Sequence, residues 1–355
     1  MRNSIQKSAM VMLCFAALLL FALQADAVRN AVTGGLKTCA GVLIPALFPY
    51  FVLTNLLVRS GGAGAIGEKF GRWMRPVFRV SNAAVLPLIL GFFGGYPLGA
   101  KTIGELYKGG AISKDDAQKA LLFCNNAGPA LFIGVIGGSL LGSAETGALL
   151  FLIHILSALL TGFLLRGKKA QAGVFAPAET KAIPFSSALI SSVSEAAKTM
   201  VTVCAFVVTF SVICELVTLW FSGEPILLAL LRAALELTGG CIALSAAPIA
   251  WAIKLPLLSA AAAWGGLSVH LQSMATLHES GLTFHRYFIA KSLQSALSGI
   301  LTVPFALLLE PTFAVAVQPQ RFAPFSPFPW LAVSFGLFFL IFLQIPTGNS
   351  EQSRL

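Results

Sequence analysis

Long apolar runs constrain this chain more than any other feature. The clearest are Ala9–Val28, Cys39–Val58, Pro129–Leu141, Ala148–Leu165, Met200–Phe221, Phe288–Leu309 and Trp330–Leu343. The hydrocarbon core of a bilayer needs about 20 apolar residues per spanning helix. Lipid offers no partner for backbone N–H and C=O groups, so such runs must close their hydrogen bonds internally, as helices. Strands of a membrane barrel would alternate apolar and polar residues, and these runs are apolar on every side. Only 11% of residues are charged, against about 25% in soluble domains. The fold class that follows is an all-α integral membrane protein, a polytopic helical bundle.

The net charge is +10, but its placement argues against nucleic acid as a partner. Arg59, Lys69, Arg72, Arg75 and Arg79 fill one gap between apolar runs. Lys101, Lys108, Lys114 and Lys119 fill the next, and Arg166, Lys168, Lys169 and Lys181 the longest polar linker. Basic residues in short gaps fix orientation, and the positive-inside rule makes all three gaps cytoplasmic. The partner implied is the lipid bilayer. The six cysteines are scattered through apolar sequence with no C-x-x-C pair, so neither a metal site nor a disulfide framework is expected. At the N-terminus, Arg2 and Lys7 precede the first run, and Ala25-Asp26-Ala27 is similar to a signal-peptidase site. The run is long enough to span, and a retained first helix is the expectation.

The stretch Ala83–Ala100 lies between two cytoplasmic gaps and cannot cross once. It is short and interrupted by Gly91, Gly94, Gly95, Pro97 and Gly99, so it reads as re-entrant. Irregular backbone at membrane depth survives only when buried in protein or lining a wet cavity. The second half carries a similar pattern. Leu86-Pro87-Leu88 precedes Gly94-Gly95, with Leu106 and Gly110 beyond; Leu255-Pro256-Leu257 precedes Gly265-Gly266, with Leu277 and Gly281 at the same spacings. Most Lys and Arg fall at or before Lys198, and only Arg286 and Lys291 follow Gly266 before the next run. That suggests an external loop, hence two inverted repeats whose re-entrant hairpins enter from opposite faces. Paired interrupted segments in two halves point to a transporter site. The expected organisation is an N-terminal helix over 1–33, a first repeat over 34–166, a cytoplasmic linker over 167–184, a second repeat over 185–310, and a C-terminal helix and tail over 311–355. The basic amphipathic stretch Gly62–Val80 is expected on the membrane surface.

Four segments offer chemistry. In Gly94-Gly95-Tyr96-Pro97, glycine allows close backbone approach and proline frees a carbonyl; Lys101 could neutralise an anion at the hairpin mouth. Asn125-Asn126 ends a helix starting near Ser113 and offers amide donors and acceptors where an apolar span begins. Glu236 is an intramembrane carboxylate, which costs about 2.5–3.5 kcal/mol on insertion scales and is functional by default; Thr238 lies beside it, and Arg232 at i−4 could pair with it. After Gly266, the residues Ser268, His270 and Gln272 would share a face on an extended segment. Glu215 is a weaker candidate, and His154 reads as a hydrogen-bonded structural histidine. No nucleotide-binding loop, catalytic elbow or metalloprotease motif occurs. The chain therefore reads as a non-enzyme without cofactor, and any transport as secondary or facilitated.

At these segments the sequence resembles the sporulation integral membrane protein YlbJ family, also called stage V sporulation protein V. The resemblance rests on Gly94–Lys101, Glu105-Leu106-Tyr107 with Gly110, Asn125–Pro129, Leu235–Gly240 and Gly265–Gln272, with Leu43–Phe51 as an opening. It covers roughly Gly34 to Leu309. Gly94 and Gly239 depart from the serine and asparagine common in the family. The resemblance implies a Gate-domain, nucleoside-recognition fold related to concentrative nucleoside transporters. It implies transport of a small anionic or nucleoside-like solute, with dipicolinate during sporulation as the family's example, in a bacterial cell membrane (the outer forespore membrane if that role holds). A non-transporting assembly or gating subunit of a spore-envelope complex is the alternative, and a homo-oligomer is compatible with either.

Overall fold

The computed structural model describes residues 2–59, 69–167, 184–219 and 223–313. The expected C-terminal helix, nearly all of the 167–184 linker and the start of the surface stretch lie outside the described residues. Among the described residues every regular element is helical.

Helix α1 (Arg2–Leu23) ends at Gln24, and α2 (Ala25–Thr38) begins directly after it. The first apolar run therefore does not continue to Val28. The first long span is Ala25–Leu57, formed by α2, a π turn at Cys39–Leu43, and α3 (Ile44–Arg59). Pro45 and Pro49 each withhold a ladder donor, and the helix accommodates them by widening its pitch upstream. The basic segment Gly71–Phe78 carries a 3-10 turn and a π turn. It meets the following helical stretch Asn82–Gly94 at 105°. It buries Met74 and Phe78 and exposes Trp73; Phe70, just before it, is exposed too.

Short helices then alternate with full spans. Helix α4 (Val85–Gly94) folds back on α5 (Leu98–Lys108), and Gly91 faces the Gly99 Cα. Residues eight apart on a continuous helix would be about 12 Å apart, so the chain reverses between α4 and α5 as a short hairpin. Helix α6 (Lys114–Cys124) is capped by Ser113, whose Oγ accepts from the Asp116 N–H at 3.1 Å, with Asp115 and Asp116 in the first turn. Past Asn125–Pro129 it leads into α7 (Ala130–Leu140), wound at π pitch. Helix α8 (Ala144–Leu164), capped by Ser143, packs back on α7 with Gly137 against Gly147.

The second half repeats this succession. After the long helix α9 (Phe185–Leu219), α10 (Pro225–Leu235) folds back on α11 (Leu237–Ala246), and Gly240 sits against the Ala233 backbone seven residues earlier. Helices α12 (Trp251–Trp264) and α13 (Gly266–Leu277) run on as one 27-residue span, and α14 (His285–Phe313) closes the bundle. The described residues hold five helices long and apolar enough to cross a membrane, or six if the bent pair is one span.

Two expectations are corrected here. The second glycine pair is not a hairpin tip, because Gly265 (φ 86°) and Gly266 (φ 72°) break the helix without reversing it. The hairpin of the second half turns at Glu236, and α10 and α11 are too short to span. Nor does the segment after Gly266 end on the face opposite the basic gaps. Thr283 and Gln118 are hydrogen-bonded at 3.0 Å, and Leu277 lies against Gly104. That segment therefore shares its end of the bundle with the Lys108–Lys114 loop.

Candidate functional site

Both hairpins and both broken spans turn or break at the middle of the bundle, and these points pack on one another in matching pairs. At the first, the Gly95 backbone lies against Gly128, in the break between α6 and α7. At the second, the Glu236–Leu237 backbone lies against Gly266, in the break between α12 and α13. Tyr96 joins the pairs: its ring sits beside Gly265, and its hydroxyl donates to the Ala263 carbonyl at 3.2 Å.

A pocket opens where the four meet. Gly95 and Tyr96 line it from the first hairpin, Ala127 and Gly128 from the first broken span, Glu236 and Thr238 from the second hairpin, and Gln272 from α13. Apolar residues of α3, α7 and α9 complete the wall. The free space is ≈ 50 Å³, enough for only a few waters at most. Helices α5, α7, α11 and α13 all begin here, so four N-terminal dipole ends converge. Only α11 has a side-chain cap: Glu236 accepts from the Thr238 N–H at 3.0 Å and the Gly239 N–H at 2.5 Å. The other three lack one, and such ends favour anions.

Glu236 is 4% exposed. Arg232 does not pair with it, because its guanidinium reaches Glu215 instead, at 3.1 Å. Among the described residues no cation forms an ion pair with Glu236. Lys101 pairs with Glu195 of α9. Gly94 packs on Leu98 and Thr54, and Pro97 precedes α5.

Asn125 and Asn126 lie one layer behind the pocket and join helices distant in sequence. Asn125 accepts from the Ala100 N–H at 3.3 Å and donates to Ser273 Oγ at 2.7 Å and the Tyr287 hydroxyl at 2.9 Å. Asn126 donates to the Phe123 carbonyl at 2.7 Å and accepts from Gln294 at 3.0 Å. His154 is the hydrogen-bonded histidine expected, its Nε2 accepting from the Ala127 N–H at 3.2 Å.

Ser268, His270 and Gln272 do not share a face, because the segment is helical and not extended. Gln272 donates to Ser268 one turn away, at 3.1 Å, whereas His270 points into an aromatic box of Trp264, Tyr287 and Phe288. Both its ring nitrogens are buried without a hydrogen-bond partner among the described residues.

Sequence reasoning missed the α14 residues Tyr287, Lys291 and Gln294, all buried. Lys291 reads in sequence as a loop charge. In the fold it is 1% exposed and donates to the Asn125 carbonyl at 2.9 Å and to Gln294 Oε1 at 2.7 Å. A lysine inside the run Phe288–Leu309 was the available signal.

Residues 40–320 match the Gate family, described as "Nucleoside recognition". The chain belongs to this family. It is 26% identical to the sporulation integral membrane protein YlbJ of Bacillus subtilis (strain 168), a similarity covering 81% of this chain and 79% of that protein. No solved structure matches the chain. As a Gate-family member this is an integral membrane protein, and its long apolar helices agree.

Proposed function

We propose that this Gate-family protein is a secondary transporter that passes a small anionic or nucleoside-like solute through the pocket between its two hairpins. One observation carries the reading: four helix interruptions converge on one pocket lined by Glu236, a buried carboxyl group with no ion-pair partner among the described residues. Broken helices near mid-membrane are how transporters expose peptide groups and dipole ends to a passenger. The halves then form inverted repeats: α4–α5 corresponds to α10–α11, α6–α7 to α12–α13, and α8 to α14. The first hairpin enters from the end carrying Lys108 and Lys114, which the positive-inside rule makes cytoplasmic. The second enters from the other end. Gly95, Tyr96, Glu236, Thr238 and Gln272 contact the solute, and Asn125, Asn126, Gly266 and Ser268 hold the breaks in place. The three uncapped helix N-termini favour a carboxylate-bearing passenger, in keeping with dipicolinate, the solute that the resemblance implies; the relative's name speaks of sporulation alone.

The test is flux of dipicolinate and of uridine in proteoliposomes of the purified chain. Saturable flux of either, lost when Glu236, Thr238 and Gln272 are replaced together in a variant that still folds, is the expected result. Flux unchanged by that triple replacement would overturn the site. The small free space at the centre also fits a second reading, a non-transporting assembly subunit, and absence of flux for every solute tried would favour it.

A further inference from the structure

Lys291 places its side-chain amine inside the bundle, 1% exposed. Among the described residues no carboxylate forms an ion pair with it. An ammonium has three donors and no acceptor, and two are met by neutral oxygens: the Asn125 carbonyl at 2.9 Å and Gln294 Oε1 at 2.7 Å. The nitrogen also lies 5.0 Å from the centre of the Tyr96 ring, a cation–π contact. The Asn125 carbonyl belongs to the C-cap of α6, where the helix breaks and the negative end of its dipole lies. Asn125 has extended backbone (φ −101°, ψ 101°), so its carbonyl points out of the helical ladder.

Neutral oxygens gathered at a helix C-terminus inside a membrane, beside a broken span, form the kind of cage in which transporters hold a coupling sodium ion. Here the cage is filled by the chain's own Lys291 Nζ. We propose that Lys291 is a tethered cation occupying a monovalent-cation site at the α6–α7 break, so that the break is held without sodium. Gln294 fixes the cage from both sides: its oxygen accepts from Lys291, and its amide donates to Asn126 at 3.0 Å. Tyr96 lies between the ammonium and the pocket and links the cage to the passenger site. The consequence for function, sodium-independent flux, rests on the transport reading above; the cage itself does not.

The experiment is therefore a binding measurement and needs no flux. Thermal unfolding of the purified full chain in detergent is followed in sodium chloride and in choline chloride at equal ionic strength. The wild-type protein is expected to melt at the same temperature in both. Lys291→Ala empties the cage, and its melting temperature is expected to fall in choline chloride and to recover by a few degrees, saturably, in sodium chloride. Gln294→Leu added to Lys291→Ala removes one cage oxygen and is expected to abolish the recovery. Sodium-specific stabilisation of the wild-type chain would overturn the proposal, and that arm needs no variant. A Lys291→Ala protein indifferent to sodium would overturn it too. Lys291→Ser serves if the alanine variant yields no folded protein; if neither folds in sodium, the cage does not accept a free cation and the idea fails. None of these outcomes depends on whether the chain transports anything.

Discussion

The carboxylate of Glu236 caps the helix that starts beside it, taking hydrogen bonds from the Thr238 and Gly239 N–H groups while facing the central pocket. One side chain thus closes the second hairpin and places a carboxyl group at the pocket. Glu236→Gln separates these roles. The amide keeps one acceptor oxygen for the cap and removes the acid. A weakened cap costs about 0.5–2 kcal/mol, so the variant should fold with a slightly lower melting temperature. Its flux in proteoliposomes should fall by about tenfold or more, which corresponds to about 1.4 kcal/mol. Flux at the wild-type level would remove Glu236 from the passenger's path.

Gly91 and Gly99 flank the Cys124 carbonyl, and a methyl group on either would overlap that oxygen. Backbone cannot move aside as a flexible side chain can. Gly91→Ala and Gly99→Ala should each destabilise the bundle by about 1–3 kcal/mol or more. Gly34 and Gly41 have nothing within 4 Å of an added Cβ. Alanine there should be neutral or stabilise by about 1 kcal/mol through helix propensity. Melting temperatures of the four variants in detergent check the ordering.

Asn125 has three partners in three other helices: Ala100, Ser273 and Tyr287. Asn125→Leu leaves those buried groups without their amide, each at about 1–3 kcal/mol. The expected outcome is a marked fall in melting temperature, larger than for Asn126→Leu, whose side chain makes hydrogen bonds to Phe123 and Gln294.

The end-to-end layout can be read by accessibility. Lys108, His278 and Glu224 are exposed. In a background without native cysteines, Lys108→Cys and His278→Cys should be labelled from the same side of the membrane and Glu224→Cys from the other. Labelling of Lys108→Cys and His278→Cys from opposite sides would contradict the fold.

Much of this architecture was legible in the sequence, and the failures have physical causes. Apolar length gave the spans, and glycine with proline gave the hairpin at Gly95, because those residues change backbone geometry wherever they stand. The same glycine pair at Gly265 misled, since two glycines permit both a reversal and a break that continues, and only packing chooses. The hairpin at Glu236 was hidden because its turn uses an extended glutamate (φ −139°, ψ 128°) and not a glycine or proline. Lys101 looked available because its partner, Glu195, comes from α9, far along the chain. Lys291 looked like a loop charge because its acceptor, the Asn125 carbonyl, becomes a neighbour only when α14 packs beside the broken span.

The centre of the bundle leaves room for a few waters and no more. On the transport reading, a traveller larger than water pushes a hairpin aside on entering and lets it return on leaving, so throughput follows the pace of that swing and levels off as cargo becomes plentiful.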